Sequence, residues 1–487
     1  MRYLPFLILA ACLNSLPAQS QVNRRPVHHY SQPKNWSNDP NGMIYLDGEY
    51  HLFYQYNPFG TDWGHMSWGH AVSKDLQTWE TLPVALTEVQ HPDGRGSDMF
   101  FSGGAVVDSL NTSGLFKPGF KHGIVAVYTI QKIRDRKGAG ESQGIAYSED
   151  KGRTFKIYDG NPVLDIGLDN FRDPSVIWDA TNKVWIMTVA IPLEHKVHFY
   201  WSKNLKDWEL KGQFGGQGDV TKIWECPALT RVKVENSSEK KWVLLISSGH
   251  KYDGYVGMQY FVGDFDGKTF TPQKQEGVFH IDEGKDFYAA IPFGNPPASQ
   301  PDPIIIGWAN NWAYGKDIPA DEYRGQFSLP RKLTLVDENG TLKLRQVPVI
   351  SASIPTEKVT LTKGRAFTSA LSKKNENVYR LVLDLDLKDS KGFEIELLKH
   401  DTFRTLVSYD VQTSTLTFDR NNSGETGFSE QFKGLESMTV KPENGRLKLD
   451  IIVDKSLVEI YANDGKAVMS ELVFLKSNTS SYSIKWK

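Results

Sequence analysis

A polar turn closed by an aromatic side chain recurs four times in the first part of the chain. The copies are Ser73-Lys74-Asp75-Leu76-Gln77-Thr78-Trp79, Ser148-Glu149-Asp150-Lys151-Gly152-Arg153-Thr154-Phe155, Ser202-Lys203-Asn204-Leu205-Lys206-Asp207-Trp208 and Gly263-Asp264-Phe265-Asp266-Gly267-Lys268-Thr269-Phe270. Their aromatic anchors lie 76, 53 and 62 residues apart, a spacing that one four-stranded sheet with its loops fills. Short runs such as Tyr50–Tyr54, Ile124–Tyr128, Val184–Met187 and Trp242–Ile246 sit between clusters of Gly, Asn, Asp and Pro and read as strands. Sustained helical periodicity is nearly absent. The expected fold is therefore all-β, its sheets repeated radially into a propeller. Asp264-Phe265-Asp266-Gly267 reads as a hairpin turn and not a calcium loop, because the further ligands and the bidentate Glu are missing.

The pattern changes beyond Leu335-Val336. A segment over 346–356, with Val347-Pro348-Val349-Ile350 and Ile354-Pro355, reads as a linker. From 357 onward the chain alternates apolar and charged residues, as in Tyr379–Leu387, Phe393–Leu397, Leu447–Ile451 and Leu457–Tyr461. That is the pattern of β-sandwich strands with one face inward, and it places the acids of this region, Glu459 among them, on a solvent face. At 487 residues the chain exceeds one typical domain. The expected division is a propeller over 24–345 and a sandwich over 357–487.

A formal net charge of −2 argues against nucleic acid or an acidic polymer as partner and favours a neutral ligand. The 13 Trp and 20 Tyr offer flat faces with polar edges, which suit sugar rings and β cores alike. Residues 1–20 read as a signal peptide: Arg2 supplies a positive start, and Tyr3–Ala11 is apolar but too short to span a bilayer. Leu9-Ala10-Ala11-Cys12 resembles a bacterial lipobox, which would make Cys12 a lipidation site and the lipid the sole membrane anchor. The alternative is cleavage after Ala18-Gln19-Ser20 and soluble secretion. Cys226 is the only other cysteine, so loss or acylation of Cys12 leaves no internal disulfide, and Cys226 reads as a small buried residue. The 12 His are scattered, and no glycine loop precedes a helix, so no metal or nucleotide cofactor is expected.

Three motifs place single carboxylates among aromatic, proline and amide residues: Trp36-Ser37-Asn38-Asp39-Pro40-Asn41-Gly42, Phe171-Arg172-Asp173-Pro174 and Trp224-Glu225-Cys226-Pro227. Cleaving a bond between sugars needs a carboxylate on one side of it and a carboxylic acid on the other. Pro40 and Gly42 fix the turn after Asp39, and the neighbouring amides are expected to stabilise its ionised form. Glu225 stands among apolar sequence neighbours, a niche expected to keep a carboxyl protonated. Asp173 is expected to meet sugar hydroxyls, with Arg172 nearby. Adjacent strand residues face opposite ways, so a direct Arg172–Asp173 pair is not expected unless the turn before Pro174 redirects one of them.

With these motifs, Tyr54-Gln55-Tyr56-Asn57-Pro58, Trp63–Ala71, Phe101-Ser102-Gly103, Asp286-Phe287-Tyr288-Ala289-Ala290, Gly307–Trp312 and Leu329-Pro330-Arg331 occur in one order. In this the chain resembles glycoside hydrolase family 32, the fructan hydrolases and invertases, from about Trp36 through the second domain. The resemblance implies a five-bladed β-propeller followed by a C-terminal β-sandwich. It implies Asp39 as nucleophile, Glu225 as general acid/base and Asp173 as transition-state stabiliser. It also implies that Asn38, Gln55, Trp63, Ser102, Arg172, Trp308 and Tyr288 line the pocket for a terminal fructose. The implied reaction is retaining hydrolysis of β-D-fructofuranosyl bonds in levan, inulin or sucrose, exo-acting, by an exported enzyme. An endo-acting levanase, an inverting family 43-like propeller hydrolase and a non-catalytic fructan-binding surface protein are the alternatives. Ser37, Gly104 and Ala320–Gly325 depart from the commoner family pattern at the pocket rim and bear on linkage preference.

Overall fold

The computed structural model describes residues 22–135, 137–362, 367–370 and 376–487; the expected signal peptide and Cys12 lie outside them. Five sheets arise in chain order. Blade 1 contains Asn35–Leu46, Glu49–Asn57, Ser67–Ser73 and Glu80–Leu86, and blade 2 Gly96–Val107, Ile124–Arg134, Lys137–Ser148 and Lys156–Ile157. Blade 3 contains Arg172–Asp179, Val184–Ile191, Lys196–Ser202 and Glu209–Gly215. Blade 4 contains Glu225–Lys233, Lys240–Gly249, Val256–Phe265 and Phe270–Pro272, and blade 5 Tyr288–Pro292, Ile304–Trp308, Arg331–Glu338 and Thr341–Pro348. The first strand of each blade touches the first strands of its neighbours, so these five surround the axis. Tyr323–Arg324 closes the ring by pairing parallel to Asn35-Trp36 in blade 1.

The four sequence repeats are the turns between the third and fourth strands of blades 1 to 4. Each works the same way. Asp75, Asp150, Asn204 and Asp266 accept backbone N–H bonds from residues two to four positions on. The next residue in each copy adopts a left-handed backbone: Leu76, Lys151, Leu205 and Gly267 have φ of 65°, 58°, 62° and 94°. Blade 5 uses a tight turn instead, with Gly340 N–H on Asp337 and positive φ at Asn339 and Gly340, which is why the repeat fades there. The apolar runs recognised in the sequence fall in the second strands of blades 1 to 4. Val184–Ile191 is buried along its whole length, as a strand covered on both faces must be.

The C-terminal strands form two sheets, one of five strands from Thr356–Leu361 to Ala467–Leu472 and one of six that includes Gly392–His400 and Ser481–Trp486. Their facing sides hold a core with Leu381, Ile395, Val407, Ile451 and Ile460. The alternation had placed Glu459 on a solvent face. It is fully buried instead, as are Glu471 and Asp454, because the propeller covers that side. Buried charge there is paired. Arg331 of blade 5 donates to Asp282 and to Glu459, both at 2.8 Å. Arg420 of the sandwich donates to Asp286 at 2.6 Å and pairs with Glu471 at 2.9 Å. His29 Nδ1 lies 2.8 Å from Asp454, and its Nε2 lies 3.6 Å from Glu459.

Burial alone would depress the His29 imidazole, but its hydrogen bonds to Asp454 and Glu459 outweigh burial and raise it to about 9. A raised histidine stabilises the fold fully below its ordinary value of 6.5, and that contribution is lost as pH climbs through about 9. Unfolding free energy is therefore expected to fall between about pH 6.5 and pH 9, and less so in His29→Gln. Urea titrations across this range check it; parallel pH curves for both proteins would contradict it.

Candidate active site

The first strands of all five blades begin at one end of the axis, and pairing to the second strand breaks near the start of each. The irregularities fall between Ser37 and Pro40, Phe100 and Gly103, Arg172 and Ser175, Glu225 and Ala228, and Tyr288 and Ile291. A bulge re-aims the side chains beside it. Asp173, Cys226 and Ala289 hold left-handed backbone there, with φ of 63°, 47° and 54°. At Gly42 (φ 48°) a Cβ would come 2.7 Å from the Trp68 ring, so the turn after Asp39 needs glycine.

Polar groups released from the ladder need other partners, and the second strand of the preceding blade supplies them. Gln55 Nε2 donates to Phe100 O at 2.9 Å, and Thr188 Oγ1 donates to Pro227 O at 2.9 Å. Thr129 Oγ1 accepts from Asp173 N–H at 2.9 Å, and Ser247 Oγ accepts from Ala289 N–H at 3.1 Å. At the junction of blades 5 and 1 the Trp308 and Trp36 rings pack together instead, 6.0 Å apart.

These bulges gather the three motif acids at one cavity of about 830 Å3. Asp39 accepts from Ser102 Oγ at 2.8 Å and Asn38 Nδ2 at 3.1 Å. Asp173 accepts the Cys226 N–H at 3.0 Å, and the Cys226 thiol lies 3.6 Å from both Asp173 and Asp39. Cys226 is thus a buried spacer between two acids, and burial followed by their charges keeps its thiol protonated. Glu225 accepts from Arg172 Nε at 3.0 Å and from the Tyr288 hydroxyl at 2.6 Å. Its surroundings are therefore not the apolar niche its sequence neighbours suggested. Trp224 points the other way, its indole donating to Asp219 O at 2.7 Å. Arg172 turns to Glu141 and Glu225, while the bulge and the left-handed backbone at Asp173 bring that carboxylate to the same cavity.

Asn38, Gln55, Trp63, Ser102 and Arg172 line the cavity with the three acids. Gln55 is largely committed to the Phe100 carbonyl. Tyr288 is 1% exposed and reaches the site through its bond to Glu225. Trp308 differs from expectation: it is fully buried behind Trp312, ring centroids 4.8 Å apart, and Trp312 forms the wall. Gly307–Trp312 contains both tryptophans, and nothing in its pattern tells which one faces outward. Sequence reading also missed Glu141 and the rim residues Leu193, His195, Val220 and Lys222, since no motif marks them. At the opposite end of the first strands lies a second cavity, of about 460 Å3, without a carboxylate among its described lining residues.

Burial, then the charge of Glu225, raises Asp39 above the ordinary carboxylate range, against the donors Ser102, Asn38 and Cys226. Of the amide donors anticipated from the sequence, Asn38 reaches the carboxylate, and burial outweighs it and Ser102 together. Burial, then Glu225, pushes Asp173 up to about 8, with the nearby Arg172 opposing. Carboxylates this close titrate as a cluster, which keeps a proton near neutral pH.

Bulge-aimed acids at the floor of a tryptophan-walled cavity define a glycoside hydrolase. A family model for the N-terminal domain of glycosyl hydrolases family 32 matches residues 29–348, and one for the C-terminal part of that family matches residues 341–486. The chain is 42% identical to a levanase of Bacillus subtilis, over 92% of its own length and 66% of the levanase. It is 37% identical to an extracellular exo-inulinase of Aspergillus awamori, over 93% of its own length and 90% of that protein. A solved exo-inulinase structure from Aspergillus awamori superposes with a TM-score of 0.86 at 33% identity, covering 96% of both chains. The chain belongs to glycosyl hydrolases family 32, which removes the family 43-like alternative.

The two tryptophans should separate by experiment. Trp308→Ala opens a fully buried space and is expected to cost about 3–5 kcal/mol of stability. Trp312→Ala, at a wall that is 37% exposed, is expected to cost less, because only part of its ring is buried against Trp308 and Trp36. Calorimetry of both variants reads the difference.

Proposed function

We propose that the protein is an exported, retaining β-D-fructofuranosidase that removes fructose from the ends of fructans such as levan or inulin. The observation that carries this is the grouping of Asp39, Asp173 and Glu225 at one cavity, with Cys226 between the first two and Arg172 and Tyr288 holding the third. Asp39 attacks the anomeric carbon C2 of the terminal fructose while Glu225 gives a proton to the departing oxygen, and the C2–O bond to the rest of the chain breaks. A water then attacks C2, Glu225 takes its proton, and the bond to Asp39 breaks to release fructose. Two displacements on one carbon restore its configuration.

Asp173 holds the ring hydroxyls, and these contacts tighten as positive charge develops on the ring. Asn38 and Ser102 orient Asp39, while Trp63 and Trp312 provide flat walls for sugar rings. Exo action fits the depth of the acids: Asp39 is 9% and Asp173 5% exposed, below a rim raised by Leu193 and Val220. A chain end reaches such a floor more readily than an internal unit. Family relatives named levanase and exo-inulinase support the substrate class, and the extracellular relative supports export. The catalytic unit is the propeller, which the sandwich from Thr356 onward braces.

Glu225→Gln is expected to lower turnover of levan and inulin at least a hundredfold while leaving fructan binding largely intact. Near-normal activity in this variant would remove Glu225 from its assigned role, and lost binding would point to a structural defect. Product time courses on levan, inulin and sucrose should show fructose alone at early times. A ladder of oligosaccharides would establish endo action instead. Proton NMR of the first-formed fructose should give the β-anomer; the α-anomer would exclude retention.

A further inference from the structure

Glu141, on the third strand of blade 2, belongs to none of the acidic motifs, yet it lies at the cavity wall and is 4% exposed. Its two carboxylate oxygens accept from Arg172 Nη1 at 3.1 and 3.2 Å. One of them also accepts the Phe171 N–H at 2.6 Å. From its other side Arg172 donates through Nε to Glu225 at 3.0 Å. One guanidinium therefore stands between two carboxylates, and only one of them has a chemical task.

We propose that Glu141 is a positioning residue for the reaction: it anchors Arg172 and shares its charge, so that the guanidinium can hold Glu225 in place through both halves of the cycle. This rests on the reading of Glu225 as acid/base. A guanidinium at hydrogen-bond distance with no second partner would favour the ionised carboxylate and oppose delivery of a proton. A second carboxylate on its far side offsets that bias. The same arrangement answers a burial problem. Whenever Glu225 carries its proton, Arg172 would lose its counter-charge, and an unpaired buried ion is costly. With Glu141 bound on Nη1, Arg172 stays paired whichever state Glu225 is in. Burial, more than any other influence, raises Glu141 itself, with Arg172 opposing.

The test is Glu141→Gln, which keeps an acceptor for Phe171 N–H and for Nη1 while removing the charge. On levan or inulin kcat/KM is expected to fall about tenfold or more. The alkaline limb of its pH profile, which reports loss of the cluster's proton, should move to lower pH. An aryl β-D-fructofuranoside, whose leaving group needs little protonation, should lose less in its first step. Glu141→Asp keeps the charge one methylene back and should give a limb between wild type and Glu141→Gln, which covers the case in which the first variant does not fold. An unmoved alkaline limb in both variants, with only lower stability or kcat, would make Glu141 merely structural and overturn the proposal. Near-normal turnover in Glu225→Gln would instead overturn the acid/base reading beneath it.

Discussion

Like charges crowded out of water set the terms for this site. Asp39, Glu141, Asp173 and Glu225 share one cavity, two of them raised chiefly by burial and next by the charge of Glu225. Such a group survives only if cations and donors interleave with it. Arg172 stands between two of the acids, and the Cys226 backbone and thiol separate two others. That crowding also sets the titration of the site: burial and the charge of Glu225 raise both Asp39 and Asp173 above the ordinary carboxylate range.

A propeller solves the problem of bringing the acids together by repetition. Regular strands would send every other side chain away from the axis. One bulge near the start of each first strand turns the needed residue into the opening, and a polar side chain from the neighbouring blade catches the freed backbone group. Four blade junctions use a Gln, two Thr or a Ser for this, so residues such as Thr129 and Thr188 serve the chemistry without meeting the substrate. Their replacement would loosen the aim of the acids and not their identity.

Much of this was readable from the sequence, and the exceptions have physical reasons. The Asp-centred turns revealed the blades because a local hydrogen-bond pattern needs the same residues each time. The acids stood out because Pro, Gly and aromatic neighbours constrain them. What stayed hidden depends on contacts far along the chain. Glu225 looked apolar beside Trp224 and Cys226, yet its partners are Arg172 and Tyr288. Trp308 and Trp312 are near neighbours in sequence and both pack on Trp36, and only their tertiary placement decides which one is covered. Glu459 reads as a surface residue by alternation until a second module lies over it.

The segment from Asp286 to Tyr288 joins two parts of the molecule. Asp286 receives Arg420 from the sandwich, and two residues later the Tyr288 hydroxyl meets Glu225. A propeller severed from its companion would lose the Arg420 guanidinium and the Leu472 N–H from Asp286, and both Ser470 donors from Asp282. The C-terminal module is thus no detachable accessory. A replacement sandwich would have to bring an arginine where Arg420 stands, to meet Asp286, and a carboxylate where Glu459 stands, to receive Arg331.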